Sequence, residues 1–343
     1  MFNILITGSS GFLAEEVMDH LQSKYFFIGI DRELNTNKKR KNFSFFRCDI
    51  NNPKKLENIF IKKKISYVFH FAAELLDEKD EKKIWDTNFY ATKHLINLSE
   101  KYKVKKFIFT STFSIFTKNY NYKIKENEKH SAFEPYGLSK LKAENYLVNH
   151  SYKKNIIIFR CPVIIGNNRL DKLGIIFDLI NINSNIWLIG NGENKVHYIY
   201  SKDIAIAILK SLNITGPELF NIGSDNVLST KKIFEKLLVA AKSKKTIRHF
   251  PKFIGLMALK ILHFFKLVPF GPYHQKILVS NIVLNTSKIK KVLNWKPTLT
   301  NHEMMIKCYK NYNQSLKNKK FKNLSSSKKR VNLGIIKLLK YLP

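Results

Sequence analysis

Phe2-Asn3-Ile4-Leu5-Ile6-Thr7-Gly8-Ser9-Ser10-Gly11-Phe12-Leu13-Ala14 passes from an apolar run through two glycines into a helical pattern. A short Ile/Leu run suits a strand buried on both faces, because a half-exposed strand would alternate apolar with polar residues. A glycine-rich turn that opens a helix points backbone N–H groups and the positive helix end at one place, where a pyrophosphate can sit. An ordinary strand-to-helix turn has the same glycine pair, so the rest of the chain must decide between them.

Outward from this turn, apolar runs alternate with helical patterns. YFFIGID (25–31), FSFFRCD (43–49), YVFHFAA (67–73), KKFIFTST (105–112) and IIIFRCP (156–162) read as strands. Helices are expected at about Pro53 to Ile61, Lys82 to Tyr102 and Tyr136 to Val148. Continuous Ile/Phe strands separated by helices predict an α/β fold, a doubly wound parallel sheet of the Rossmann kind. Beyond Gly166 the pattern turns irregular, with IWLIG, VHYIY and LFNIG as short strands among helices. We expect a Rossmann domain over 1–166, a smaller interleaved α/β substrate domain over 167–316 that shares the last sheet strands, and a basic tail over 317–343. In FIGLMALKILHFFKLVPF (253–270) the three-residue spacing of Lys260, His263 and Lys266 makes one polar stripe, and the pattern favours a packed helix over a membrane-surface one.

Composition sets bounds. The 343 residues are 44% hydrophobic, enough for a large core, yet no apolar stretch reaches the roughly 18 to 20 residues that span a bilayer. The start lacks a basic leader and a cleavage site, so the chain is expected to be neither secreted nor membrane-spanning. Cys48, Cys161 and Cys308 form no metal or redox motif, which suits a reducing cytoplasm and predicts no metal. The net charge is +34, and residues 241–343 carry 23 Lys/Arg against one acid, Glu303. A genome-wide bias toward lysine would have the same effect without selecting a partner. No aromatic stacking motif accompanies the charge, so specific nucleic-acid binding is not expected. The tail from Lys317 holds nine Lys/Arg and ends in the amphipathic GIIKLLKYL, which leaves peripheral membrane contact through the tail open beside disorder.

Chemistry concentrates at three places. The second strand ends in Asp31, where an acid can accept hydrogen bonds from both ribose hydroxyls and repel a 2′-phosphate, favouring NAD over NADP; Arg32 beside it would soften that preference. Tyr136-Gly137-Leu138-Ser139-Lys140 puts a phenol and an ammonium on one helical face. A phenol must fall by about 3 pH units, or about 4 kcal/mol, to act as a base near neutrality. One cation about 4 Å away at an effective dielectric of about 20 supplies about that much. Thr112 ends FIFTST at the sheet's C-terminal edge, 24 residues before Tyr136, where a hydroxyl could hold a substrate oxygen against the phenol.

In this order, TGSSGFLA, Asp31, Cys48-Asp49-Ile50, HFAA, Asn88, FIFTST, YGLSK, Arg160-Cys161-Pro162, IYSKDIA, FNIG and VLNWKP, the chain resembles the extended short-chain dehydrogenase/reductases, the NAD-dependent epimerase/dehydratase family, from Phe2 to about Pro297. The resemblance implies a catalytic set of Thr112, Tyr136 and Lys140, with hydride transfer between a carbinol and the nicotinamide. It implies NAD contacts from Gly8, Ser10, Gly11, Phe12, Leu13 and Asp31, with Asp49 and Ile50 flanking the adenine. Phe71, Ala72, Ala73, Asn88 and Pro162 would line the cofactor, and Tyr136 and Lys140 would reach its nicotinamide end. It also implies a homodimer joined through the helices at about Lys82 to Tyr102 and Tyr136 to Val148.

There are departures. Ala14 replaces the third glycine of the family turn. Phe113-Ser114 stand where sugar-nucleotide dehydratases carry Asp-Glu, which argues against dehydration. Val163 and Val196 lie near positions where sugar epimerases often use Asn and Arg on the nucleotide diphosphate. The leading expectation is an epimerase or ketoreductase acting on a nucleotide sugar. The alternatives are oxidation of a lipid alcohol, in the manner of 3β-hydroxysteroid dehydrogenases, and a non-catalytic NAD-binding protein.

Overall fold

Strands β1 (Phe2–Thr7), β2 (Tyr25–Asp31), β3 (Phe43–Arg47), β4 (Tyr67–His70), β5 (Lys106–Thr112) and β6 (Ile156–Cys161) enter one parallel sheet in a computed structural model that describes residues 2–21, 25–33, 40–76, 78–166, 172–317 and 334–341. Between them run α1 (Phe12–Leu21), α2 (Pro53–Lys62), α3 (Glu81–Trp85), a π-helical turn (Asp86–Tyr90), α4 (Ala91–Lys101) and α5 (Pro135–Val148). The chain continues through β7 (Val163–Ile165), α6 (Leu173–Asn181), β8 (Ile186–Ile189), β9 (Tyr198–Tyr200) and α7 (Ser201–Ser211) to β10 (Glu218–Asn221). Then follow α8 (Thr230–Ala240), β11 (Ile247–Phe250), α9 (Lys252–Phe264), α10 (Pro272–Ile277), α11 (Ser287–Leu293) and α12 (Asn301–Lys317).

The seven-stranded sheet has the order β10-β6-β5-β4-β1-β2-β3, with every neighbouring pair parallel. Its sequence signature is explained by burial on both faces. Ile4, Ile6, Ile157 and Phe159 pack with α1 and α7, whereas the intervening Leu5, Ile156 and Ile158 pack with α2, α4 and α5. Alternate side chains point to opposite faces, so a strand covered on both sides must be apolar throughout. β10, from the LFNIG segment, joins this sheet beside β6. Strand order reverses between β1 and β4, and the crevice at such a switch point is where doubly wound sheets take ligands.

A second core gathers Phe177, Ile186, Tyr198, Leu237 and Met305 from α6, β8, β9, α8 and α12. It is flanked by the two-stranded pairs β8–β11 and β7–β9.

The 253–270 segment departs from the packed helix expected of it. Within α9 only Gly255 is buried, against the Ile189 side chain of β8. A two-stranded sheet offers too narrow a surface to cover a thirteen-residue helix, so Leu256, Leu259 and Leu262 are only half-buried and Phe253, Ile254, Met257, Ile261 and Phe264 stay outside. The basic tail falls largely on 318–333, outside the described residues; Gly334–Tyr341 forms 3-10 helix.

Candidate active site

One cleft at the switch point is lined by Gly8, Ser10, Gly11, Phe12, Leu13, Asp31, Asp49, Ile50, Phe71, Ala72, Ala73, Tyr136 and Lys140, all anticipated from sequence. Its floor is set by glycine geometry. Gly8 has φ +66°, and a Cβ there would lie 2.9 Å from the Ala72 backbone nitrogen and Cα. The turn after β1 and the run after β4 therefore touch backbone to backbone, which only glycine permits.

A hydrogen-bond chain holds that contact. The amides of Phe71 and Ala72 donate to Thr7 Oγ1 at 3.1 and 3.0 Å, and Thr7 Oγ1 lies 2.7 Å from His70 Nδ1. Having accepted twice, the threonine hydroxyl donates to Nδ1, so the imidazole carries its proton on Nε2. Nε2 then donates to Thr92 Oγ1 at 2.8 Å, which donates to the Asn88 carbonyl at 2.8 Å. Burial, followed by the nearby Lys140 charge, lowers the His70 pKa to about 3, in keeping with a neutral ring in this role.

The Asp31 carboxylate is aimed by the turn. Its Oδ2 accepts from Ser10 N at 3.0 Å and its Oδ1 from Glu33 N at 3.1 Å. Arg32 is ion-paired to the buried Glu74, which also lines the cleft. The Arg32 guanidinium, expected from the sequence to soften the preference for NAD, is thus engaged by an acid.

Tyr136 and Lys140 occupy the first turns of α5. Pro135 opens the helix at its first position, where its missing N–H costs nothing. Gly137 lets that turn approach β5's exit closely, since a Cβ there would meet the Ser114 carbonyl oxygen at 2.9 Å. Lys140 is 2% exposed, with Nζ 3.8 Å from the Phe109 ring centroid, and burial pushes its pKa down to about 7 against the raising influence of Glu144 and Cys161.

Thr112, Asn88 and Pro162 do not appear in the lining of this cleft. Thr112 is buried, and its Oγ1 donates to Ser114 Oγ at 3.0 Å; Ser114 Oγ in turn donates to Tyr273 OH at 2.8 Å. Asn88, in the π-helical turn, clips the loop behind the cleft: Oδ1 accepts from Glu74 N at 2.9 Å and Nδ2 donates to Glu74 O at 3.0 Å.

The cleft also includes Glu74, Thr87, Thr110, Ser111 and Ile164, which sequence reasoning passed over. Thr110 and Ser111 share FIFTST with Thr112, and Glu74 follows HFAA directly, so a signal existed. Tyr273, more than 130 residues further along the chain on α10, had none. A dinucleotide fits these residues: the turn accommodates backbone approach, Asp31 offers a carboxylate at the β2 end, and buried Ser111 Oγ has no hydrogen-bond partner within the protein.

The chain matches the model of the NAD dependent epimerase/dehydratase family over residues 4–223. It is 27% identical over 322 residues to a UDP-glucuronate 4-epimerase of Thermodesulfobacterium geofontis, covering 87% of this chain and 92% of that one. It is 30% identical over 268 residues to a dTDP-D-glucose 4,6-dehydratase of Dictyostelium discoideum, covering 68% of this chain and 61% of that one. Among solved structures, the UDP-glucose 4-epimerase of Thermotoga maritima with UDP-glucose superposes with a TM-score of 0.75 at 25% identity, over 92% of this chain and all of that one.

Proposed function

The chain belongs to the NAD dependent epimerase/dehydratase family, and from that premise we propose that it acts on a carbinol carbon of a nucleotide sugar, as an epimerase or ketoreductase, with Tyr136 carrying the proton. It is an NAD-dependent enzyme of the extended short-chain dehydrogenase/reductase type. The observation that carries the proposal is that Tyr136 and Lys140 line the same cleft as the Gly8 turn and Asp31.

NAD, when bound, supplies the acceptor and later the donor for the hydride of the carbinol carbon. The Tyr136 phenolate takes the hydroxyl proton as the carbonyl forms and returns it when the alcohol is restored, leaving no net acid or base. Lys140, one helical turn away and charged in about half of the molecules at pH 7, favours the phenolate in its protonated form, in a site dry enough for the attraction to count. Asp31 would hold the adenosine ribose of the cofactor and the Gly8–Gly11 turn its pyrophosphate, while Thr112 fixes the Ser114–Tyr273 hydroxyl chain.

Epimerisation or carbonyl reduction is favoured over dehydration by Phe113 and Ser114. Phe113 is buried, and the Ser114 hydroxyl is bonded to Thr112 and Tyr273, so that position offers no carboxyl group to protonate a leaving hydroxyl. The nucleotide-sugar substrate rests on the named substrates of the relatives. Division into a 1–166 cofactor domain and a 167–316 substrate domain, a homodimer paired through the helical segments at about Lys82 to Tyr102 and Tyr136 to Val148, and a cytoplasmic location form part of the same reading. Buried free thiols at Cys48, Cys161 and Cys308 support the last.

The test is to release dinucleotide from purified protein by denaturation and then incubate intact protein with UDP- and dTDP-sugars, following epimers by proton NMR. Copurifying NAD and interconversion without net NADH are expected of an epimerase; NAD(P)H-driven reduction of a keto sugar is expected of a ketoreductase. Inert nucleotide sugars together with NADH release from a lipid alcohol would overturn the proposal.

A further inference from the structure

α9 carries apolar side chains on two opposite sides. Its inward side holds buried Gly255 with half-buried Leu256, Leu259 and Leu262, while the arc opposite carries Phe253, Met257, Ile261 and Phe264, respectively 75%, 47%, 54% and 80% exposed. Ile254 and Phe265 extend the same arc. The end of the helix is firmly built. Leu267 N donates to Leu262 O at 2.8 Å and Lys266 N to His263 O at 2.9 Å, with Lys266 at φ +57°, the left-handed cap that closes a helix. Phe265 and Leu267 are therefore held out on a fixed turn.

Charge surrounds these apolar groups. Lys252, Lys260 and Lys266 are exposed along α9 and its cap, and exposed Arg248 precedes it on β11. From Ala241 to the C-terminus the sequence offers one acid, Glu303, which lies on α12 and is hydrogen-bonded to Thr300. A second copy of the chain is a poor occupant for such a face. A two-fold interface sets each patch against itself, so lysine would meet lysine with no acid from this region to pair it. A surface of anionic lipid suits both features, taking the aromatic rings at the headgroup boundary and the lysines against its negative potential.

We propose that α9 and its capping turn, Lys252–Leu267, form a peripheral docking surface for anionic membranes. No helix among the described residues is long and apolar enough to cross a bilayer, so the contact lies in the interfacial plane. Phe253, Phe264 and Phe265 enter the headgroup region, and Lys260 and Lys266 stay beside the phosphates. The chain runs on from the docked helix through Phe270 to Tyr273 of α10, whose hydroxyl is bonded to Ser114.

The test is cosedimentation of the full-length protein with vesicles of phosphatidylcholine alone or with about a third phosphatidylglycerol. Binding to the anionic vesicles, weakened by salt, is expected. The variant F253S/F264S/F265S should lose on the order of a hundredfold in partition, and K260Q or K266Q roughly fivefold each. Because these side chains are exposed, NAD binding and melting temperature should be preserved in all three, which separates lost docking from lost fold. Absence of wild-type binding to anionic vesicles would overturn the proposal. So would equal binding by the triple-serine variant, or loss in L338S/Y341S with α9 variants unaffected, which would move the contact to the C-terminal segment. A wild-type dimer that the triple-serine variant turns into a monomer without lipid would assign the face to a second copy instead.

Discussion

Replacing Lys140 by methionine should make the protein more stable and inactive at once. The Lys140 amine titrates at about 7 in the fold against 10.5 for an exposed lysine, mainly because burial penalises the charge. That gap corresponds to about 5 kcal/mol at about 1.36 kcal/mol per pH unit. Below about pH 7 both the folded and unfolded chains hold the proton, and the folded state bears the whole penalty. Between about pH 7 and 10.5 the unfolded chain holds more protons than the folded one, so wild-type stability contributed by this group rises with pH. Methionine fills a similar volume without the charge. Its advantage should be about 4–5 kcal/mol near pH 6, less whatever the contact with Phe109 contributes, and should narrow to about 2 kcal/mol near pH 9. Urea unfolding of both proteins, stripped of dinucleotide, at several pH values measures this, and taking the difference cancels the other titrating groups. Parallel stability curves would refute the buried-ammonium argument, as would a variant less stable at every pH.

Other outcomes follow from the cleft. Tyr136→Phe should reduce turnover at least a thousandfold while leaving NAD affinity within about threefold; calorimetry and a turnover assay separate the two. Asp31→Ala should weaken NAD binding by roughly a hundredfold, from loss of about 3 kcal/mol of charged hydrogen bonding, with a much smaller effect on NADP; equal losses would remove Asp31 from the ribose site. Glu74→Gln, which frees Arg32 from its ion pair, should raise NADP affinity relative to NAD, read by titration of tryptophan fluorescence. Gly8→Ala would set a methyl 2.9 Å from the Ala72 backbone at φ +66°; it should abolish dinucleotide binding and cost about 1–3 kcal/mol of stability.

Much of the fold was legible because its signals are local. The Ile/Phe strands lack a polar face, and that alone implies a sheet covered on both sides. The Gly8–Gly11 turn, Asp31 and the Tyr136/Lys140 spacing each lie within a few residues, so they are readable without knowing which distant segments meet. At α9 the expectation of a packed helix holds only for the side of Gly255, Leu256, Leu259 and Leu262. Hydrophobic pattern says how much a helix could bury but not whether a large enough neighbour exists, and β8–β11 is too small.

From the sequence alone came the parallel sheet, the dinucleotide turn and the phenol–amine pair, since backbone conformation and side-chain periodicity act over short spans. Only tertiary structure could pair Arg32 with Glu74, tie Thr112 through Ser114 to Tyr273, and bring the Lys140 amine near 7. Those properties depend on which groups exclude water and which meet across the chain, and no local pattern encodes either.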